Sequence, residues 1–292
     1  MAHPEITLQS FAKINLGLEI CSFRDDGFHE VVSIMQAVDL YDSIFISIAD
    51  NLDVLSGVEN LKPDDDLMLK AANALRIATG TRLGAKIRVD KHIPSSAGLG
   101  GGSSNGATVL LGLNQLWETE LTHPELASIS AKLGSDVTFF LTGGTALTTG
   151  RGEKVGPQLP TPNCWVLLAK PAHGLSTSTV YSQLRNSEYS NGSKTRALME
   201  SIVNKDPDYS LMINSLSSPA TRLLPELNET LSALANSSPN TLVSGSGSTC
   251  FALFQSMHEA QLAKNNLRNT GLWTHICPFV GEWSNKYNRG RS

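Results

Sequence analysis

Ala12, Ile14, Leu16, Leu18 and Ile20 are apolar at every second position, the period of a strand with one buried face. Lys13, Asn15 and Gly17 share the opposite, polar face. A charged turn over 23–27 follows, and residues 44–48 have the composition of a further short strand. Met68, Ala71, Ala72 and Leu75 then recur at helical spacing, with Asp66 placed to cap the helix that carries them. Residues 86–90 read as a strand that runs directly into a glycine-rich stretch.

Beyond that stretch, Ala107, Leu110, Leu111 and Leu113 predict a buried helix reaching Trp117. The next helix starts at Pro124, a favoured first-turn residue, and stops at Gly134. Gly143, Gly144, Gly150 and Gly152 mark turns between short strands. Segment 156–162 holds three prolines and a glycine, which cannot continue a helix or a central strand. It is the expected linker between two domains, residues 1–158 and 159–292. In the second domain, 164–169 reads as a strand, 187–194 as an exposed polar loop and 195–235 as mostly helical. Strands at 241–243 and 250–254 flank Ser244-Gly-Ser-Gly-Ser248, a tight hairpin or a second ligand loop. A helix over 258–268, a last strand and a frayed tail at 285–292 complete the chain, which has no internal repeat.

Hydrophobic residues are 40% of the 292, yet no apolar run approaches the ~18–20 residues of a membrane helix, so no membrane partner is expected. The net charge is −4 with scattered bases, which argues against a nucleic-acid surface. A phosphate site stays open, because it needs local N–H donors and not a basic chain. Cys21, Cys164, Cys250 and Cys277 form no CxxC pair and have no histidine cluster nearby; they read as reduced, packed thiols. No signal or transit peptide is visible, and the cytoplasm is the expected compartment.

The glycine-rich stretch is Pro94, Ser95, Ser96, Ala97, Gly98, Leu99, Gly100, Gly101, Gly102, Ser103 and Ser104, set between a strand and an apolar helix. Glycines let consecutive N–H groups point into one concavity without a Cβ in the way. The helix N-terminus behind them adds unpaired donors and a positive dipole end. Ser103 and Ser104 can donate to phosphate oxygens or meet a metal ion; beyond Ser104 as a magnesium contact, no metal ligand can be named. No lysine follows the glycines, so this is not a P-loop. Position 103 is serine, so it is not the dinucleotide fingerprint GxGxxG.

Three further residues could do chemistry. A lysine in a strand, such as Lys13, is commonly only part of a solvated face. An aspartate after a helix stop, such as Asp136, is commonly only a turn former. Asp136 precedes the apolar run Val137, Phe139, Phe140 and Leu141, however, where an unpaired carboxylate is costly and a lysine beside it would keep it ionised. His29 lies just past the Asp25-Asp26-Gly27 turn and reads as a loop histidine.

Five segments together resemble the superfamily of galactokinase, homoserine kinase, mevalonate kinase and phosphomevalonate kinase. They are Phe11-Ala-Lys-Ile-Asn-Leu16, Asp26-Gly-Phe-His29, residues 94–107, Leu133-Gly-Ser-Asp-Val137 and residues 244–254. The first two set apart a branch whose substrate carries a cytidine diphosphate group. The resemblance implies an α+β fold of two domains, ribosomal-protein-S5-like then ferredoxin-like, with a cleft between them. It implies ATP and Mg²⁺, with transfer of the γ-phosphate to the C2 hydroxyl of a methylerythritol unit in the non-mevalonate isoprenoid pathway. Its catalytic pair falls on Lys13 and Asp136, its phosphate loop on residues 94–104, and its cytosine pocket on Phe28 and His29. Asn15 and, as second base-stacker, Tyr181 complete the implied substrate site.

The chain departs from the pattern at Ser95, Ser96 and Ala97, where glycines are usual, at Asp66, where asparagine is common, and at Asn214-Ser-Leu-Ser217. Two other readings stay open: a superfamily kinase for homoserine, a sugar or a mevalonate derivative, and a catalytically silent nucleotide sensor. Phe28 and His29 speak against the first, because those substrates have no base to stack. Retention of both Lys13 and Asp136 speaks against the second. Oligomeric state leaves no mark in the sequence.

Overall fold

The computed structural model describes residues 5–57 and 61–283, so the expected tail at 285–292 lies outside the described residues. The chain opens with two long antiparallel strands, β1 (Glu5–Phe23) and β2 (His29–Ala49). Their pairing shifts register between Phe11 and Ala12, between Asn15 and Gly17, and between Ile20 and Ser22. Such bulges bend a long ribbon and re-aim its side chains. Edge strand β3 (Leu52–Leu55) precedes α1 (Leu67–Thr79), whose N-cap is Asp66 as expected, its carboxylate accepting from Met68 N at 2.8 Å. Next come β4 (Gly84–Asp90), α2 (Gly101–Leu116) and α3 (His123–Leu133), the last with a Thr122–Glu125 capping box. Hairpin β5 (Thr145–Thr149) and β6 (Lys154–Leu159) pairs with the first half of β2, while β4 takes its second half.

A second sheet is built from β7 (Trp165–Lys170) and, after short α4 (Thr177–Tyr181) and α5 (Ser193–Val203), from elements near the C-terminus. First a two-residue strand, β8 (Ile213–Asn214), returns to pair in parallel with Gly17 and Leu18 of β1. Then α6 (Ser217–Leu223), α7 (Glu226–Ala235), β9 (Thr241–Val243), β10 (Cys250–Phe254), α8 (Met257–Asn266) and β11 (Trp273–Pro278) follow. The antiparallel order β11-β7-β10-β9 is the ferredoxin-like arrangement.

Three apolar layers hold this together. Ile44, Ile46, Ile87, Leu110 and Phe139 pack the first sheet against α1, α2 and α3. Ile14, Leu16 and Ile34 meet Val166, Leu168 and Phe251 between the two sheets. Leu167, Ala169 and Ala252, on the other face of the second sheet, meet Leu227, Leu234 and Ala260. Deleting a ring as enclosed as Phe139 costs about 3–5 kcal/mol. All four cysteines are free, three of them buried.

The structure corrects several expectations. β1 is buried on both faces from Ser10 to Ile20, so the side carrying Lys13 is not a solvated face. β2 is far longer than 44–48 and begins at His29, which is therefore a strand residue. Residues 31–38 hid the strand because covering both faces removes the alternation. The expected linker contributes its first four residues, Gly156, Pro157, Gln158 and Leu159, to β6, which among the described residues pairs only with β5; an edge strand tolerates proline. The loop at 187–194 is not simply exposed: Tyr189 bridges Ile20 of β1, and α5 has begun by Ser193.

Candidate active site

One cavity of about 1150 Å³ is lined by the polar side of β1, the glycine-rich stretch, the turn after α3 and one side of α4. The glycine-rich stretch lines it as a loop that ends at Gly100, the N-cap of α2 in left-handed conformation; Gly101, Gly102, Ser103 and Ser104 are already the helix's first turn. The loop's carbonyls turn into the protein. Ser96 O accepts from Leu175 N, Ala97 O from Thr249 N, and Leu99 O from Lys13 N, at 3.3, 3.1 and 3.0 Å. Gly98 O accepts from both Lys13 Nζ and Ser244 Oγ. Among the described residues, no backbone N–H from Gly98 through Ser103 is spent on another protein group. With carbonyls inward, these amides are left for an anion.

Gly98 is required by contact. A Cβ there would lie 2.1 Å from Ser244 O, where the two glycine turns touch. The second turn is thus a brace for the first. Asn214 ties it down in turn, donating through Nδ2 to Val243 O and Gly245 O at 2.8 and 2.7 Å.

Lys13 is 4% exposed and has an acceptor for each ammonium hydrogen: Asn15 Oδ1 at 2.8 Å, Gly98 O at 3.2 Å and Asp136 Oδ2 at 3.3 Å. Asn15, fully buried, is held by its own bond to Ser33 Oγ. Asp136 arrives from the turn after α3 and is 27% exposed, open to the cavity. A fixed cation, a reachable carboxylate and a row of free amides therefore converge.

At the other end Asp26 accepts from Phe28 N, a turn that presents the Phe28 ring with the Arg151 guanidinium 4.6 Å from its centroid. Arg24 beside Asp26 holds that carboxyl below its usual range. His29 sits among aromatic rings: Tyr181 at 5.1 Å, Phe23 at 5.2 Å and Tyr189 at 6.0 Å between centroids. Its Nε2 is 3.1 Å from the Tyr189 hydroxyl, and burial lowers its pKa, which leaves the ring neutral at pH 7. Burial, aided by Asp136, pushes the Tyr181 phenol up.

Of the sequence-selected residues, Lys13, Asn15, Phe28, His29, Asp136, Tyr181 and the stretch from Pro94 to Ser103 all line this cavity. Ser104 does not serve as a magnesium contact from where it stands: it is 1% exposed and its hydroxyl accepts from Ser10 Oγ at 2.7 Å, off the cavity wall. Ser103 is the hydroxyl on the wall. Sequence reasoning missed Tyr189, Arg151 and Lys91, which also line it. Tyr189 lay in a polar stretch with no periodicity, and only its contact with His29 marks it.

Residues 66–144 match the GHMP kinases N terminal domain and 198–271 the GHMP kinases C terminal model. A 4-diphosphocytidyl-2-C-methyl-D-erythritol kinase of Listeria innocua is 40% identical, the alignment covering 97% of this chain and 98% of that protein. One of Listeria monocytogenes is 40% identical over 90% of this chain and 92% of its own length. The crystal structure of a 4-(cytidine 5'-diphospho)-2C-methyl-D-erythritol kinase superposes with a TM-score of 0.81 at 31% identity, covering 94% of this chain and all of the other. The chain belongs to the GHMP kinases, a family of ATP-dependent phosphotransferases, in the branch formed by the 4-diphosphocytidyl-2-C-methyl-D-erythritol kinases.

Proposed function

We propose that the chain transfers the γ-phosphate of ATP to the C2 hydroxyl of 4-diphosphocytidyl-2-C-methyl-D-erythritol. The observation that carries this is one shared cavity. It holds the free loop amides, the Lys13–Asp136 pair at 3.3 Å and the aromatic group around His29. A base and a triphosphate can occupy its two ends at once, with the hydroxyl between them.

Asp136 accepts the proton of the attacking hydroxyl. Lys13, immobilised by Asn15 and Gly98, offsets the negative charge on the transferred group; because it is already in place, no reorganisation is needed at the transition state. The amides of Gly98 through Ser103 cradle the β- and γ-phosphates. Phe28 and Tyr181 stack on the cytosine and His29 pairs with its edge.

Among the described residues no three His, Cys, Asp or Glu side chains gather to cage a metal. That suits magnesium, which keeps waters and binds largely through substrate phosphates. The Ser103 hydroxyl is the protein group that would meet it, and the ion would neutralise phosphate charge. We assign the phosphate loop, with Phe28 and His29, to residues 1–158, and the remainder of the substrate side, with Tyr181, to residues 159–292. The cytoplasm is the proposed compartment, supported by four free thiols.

Phosphorus NMR of the protein with ATP, Mg²⁺ and the cytidine ester tests the reading. A new phosphomonoester resonance that depends on all three is the expected result. Turnover of homoserine or mevalonate with none of the ester would overturn it.

A further inference from the structure

Asp42 takes no part in the chemistry above, yet it is a fully buried carboxylate on β2. Its neighbour Ser43 pairs with Asp90, the last residue of β4, so the chain leaves the sheet beside Asp42. The next three residues all donate to it. Lys91 Nζ bonds Oδ2 at 2.5 Å, while His92 N and Ile93 N bond Oδ1 at 2.7 and 2.8 Å. A buried carboxylate is costly unless satisfied in this way. The bonds therefore set where the chain stops being a strand and starts toward the glycine loop.

Two of the anchored residues sit against the first residue of α2. A Cβ placed on Gly101 would lie 3.0 Å from Ile93 Cγ2 and 3.4 Å from Lys91 Nζ. Ile93 is buried and packs under the loop; Lys91 lines the cavity. Only one of the three Lys91 donors is needed for Asp42 Oδ2. The remaining two stand at the helix N-terminus, where an anion is favoured.

We propose that Asp42 is a positioning residue for the nucleotide: it holds the start of the phosphate loop and the Lys91 ammonium as one unit beside the N-terminus of α2. The inference rests on the reading that the ATP phosphates occupy this loop. Asp42→Asn keeps shape and an acceptor for the two amides but cannot pair with the ammonium. Losing one charge-assisted bond corresponds to a loss of about tenfold or more in affinity.

Isothermal calorimetry with ATP, steady-state constants for both substrates and thermal melts are measured on wild type, Asp42→Asn, Lys91→Met and the double variant. Expected is a rise in the ATP dissociation constant of about tenfold in Asp42→Asn, with the Michaelis constant for the cytidine ester moving less than about twofold. The double variant should be no worse than the worse single one, because the two side chains act together. If Asp42→Asn does not fold, Lys91→Met alone must show the same selective loss. Unchanged ATP affinity in a folded variant, equal losses for both substrates, or losses that multiply would each overturn the inference. A wild-type protein that binds no ATP would instead overturn the reading on which it rests.

Discussion

Asp136→Asn is the cleanest perturbation of the chemistry, and burial says why. The carboxylate is 27% exposed and its ion pair with Lys13 is partly solvated. Removing its charge should cost about 1 kcal/mol of stability or less, a shift of roughly 2–4 °C in Tm at most. The rate should suffer far more. Loss of a general base costs about 10²–10⁴-fold, or roughly 3–5 kcal/mol at the transition state. Lys13→Met is not symmetrical with it. Lys13 is 4% exposed, and without it Asn15 Oδ1, Gly98 O and Asp136 Oδ2 all lose a donor. A buried acceptor left without its donor costs about 1–3 kcal/mol, so this variant should be slow and also visibly less stable. Single-turnover rates on both variants and the double variant, with melts alongside, separate the two effects. Because both groups serve one step, the double variant should be much less impaired than the product of the single losses. Near-normal turnover by Asp136→Asn would refute the base assignment. Independent multiplication of the losses would show that Lys13 acts on the phosphate without reference to Asp136.

The glycine loop makes a paired prediction. A Cβ on Gly102 meets nothing nearer than Leu67 at 3.9 Å, so Gly102→Val should abolish ATP binding by calorimetry while the melt stays near wild type; at Gly100, with φ +71° and the Phe140 ring 2.8 Å from a new Cβ, valine should destabilise the fold itself. Phe28 is 47% exposed, so Phe28→Ala should fold normally and raise the Michaelis constant for the cytidine ester with little change for ATP; by loose analogy with single-stranded nucleic acids the stack contributes about 1–3 kcal/mol, and equal effects on both substrates would count against a cytosine pocket. His29 predicts a pH dependence: burial lowers its folded pKa, so the unfolded chain takes the proton first and stability is lost as pH falls below about 6.5 toward that lower value. His29→Gln should flatten that part of the profile, measured as urea midpoints between pH 7 and 5, and an unaltered slope would show that His29 is not its source.

Much of the site was legible because its signals are local. Asp66 as a cap, Pro124 in the first turn of α3 and the φ-permissive glycines between β4 and α2 each depend on a few adjacent residues. Lys13, Asn15, Phe28, His29 and Asp136 were found through short motifs whose side chains line one cavity. The strands were harder. Residues 31–38 of β2 do not alternate, because both faces are covered, and a period-2 reading passes over them. Ser104 was misjudged because spacing along a loop does not say where a helix begins. Once α2 starts at Gly101, its hydroxyl turns inward to Ser10.

By itself, then, the amino-acid order determined which segments are strands, helices and turns where one face is wet, and which residue types could cradle phosphate or move a proton. Only the tertiary structure decided the pairings. It put Asp136 against Lys13, Tyr189 against His29, the Asp42 carboxylate against the residues that lead into the glycine loop, and Trp283 at 5.2 Å from Phe11 in the first core. Each joins residues far apart in the chain through the crossing of β1 and β2 with returning segments. Local periodicity reports the face a residue prefers. It cannot report its partner, because partners are chosen by the burial of whole sheets and helices against one another, and that is a property of the packed molecule.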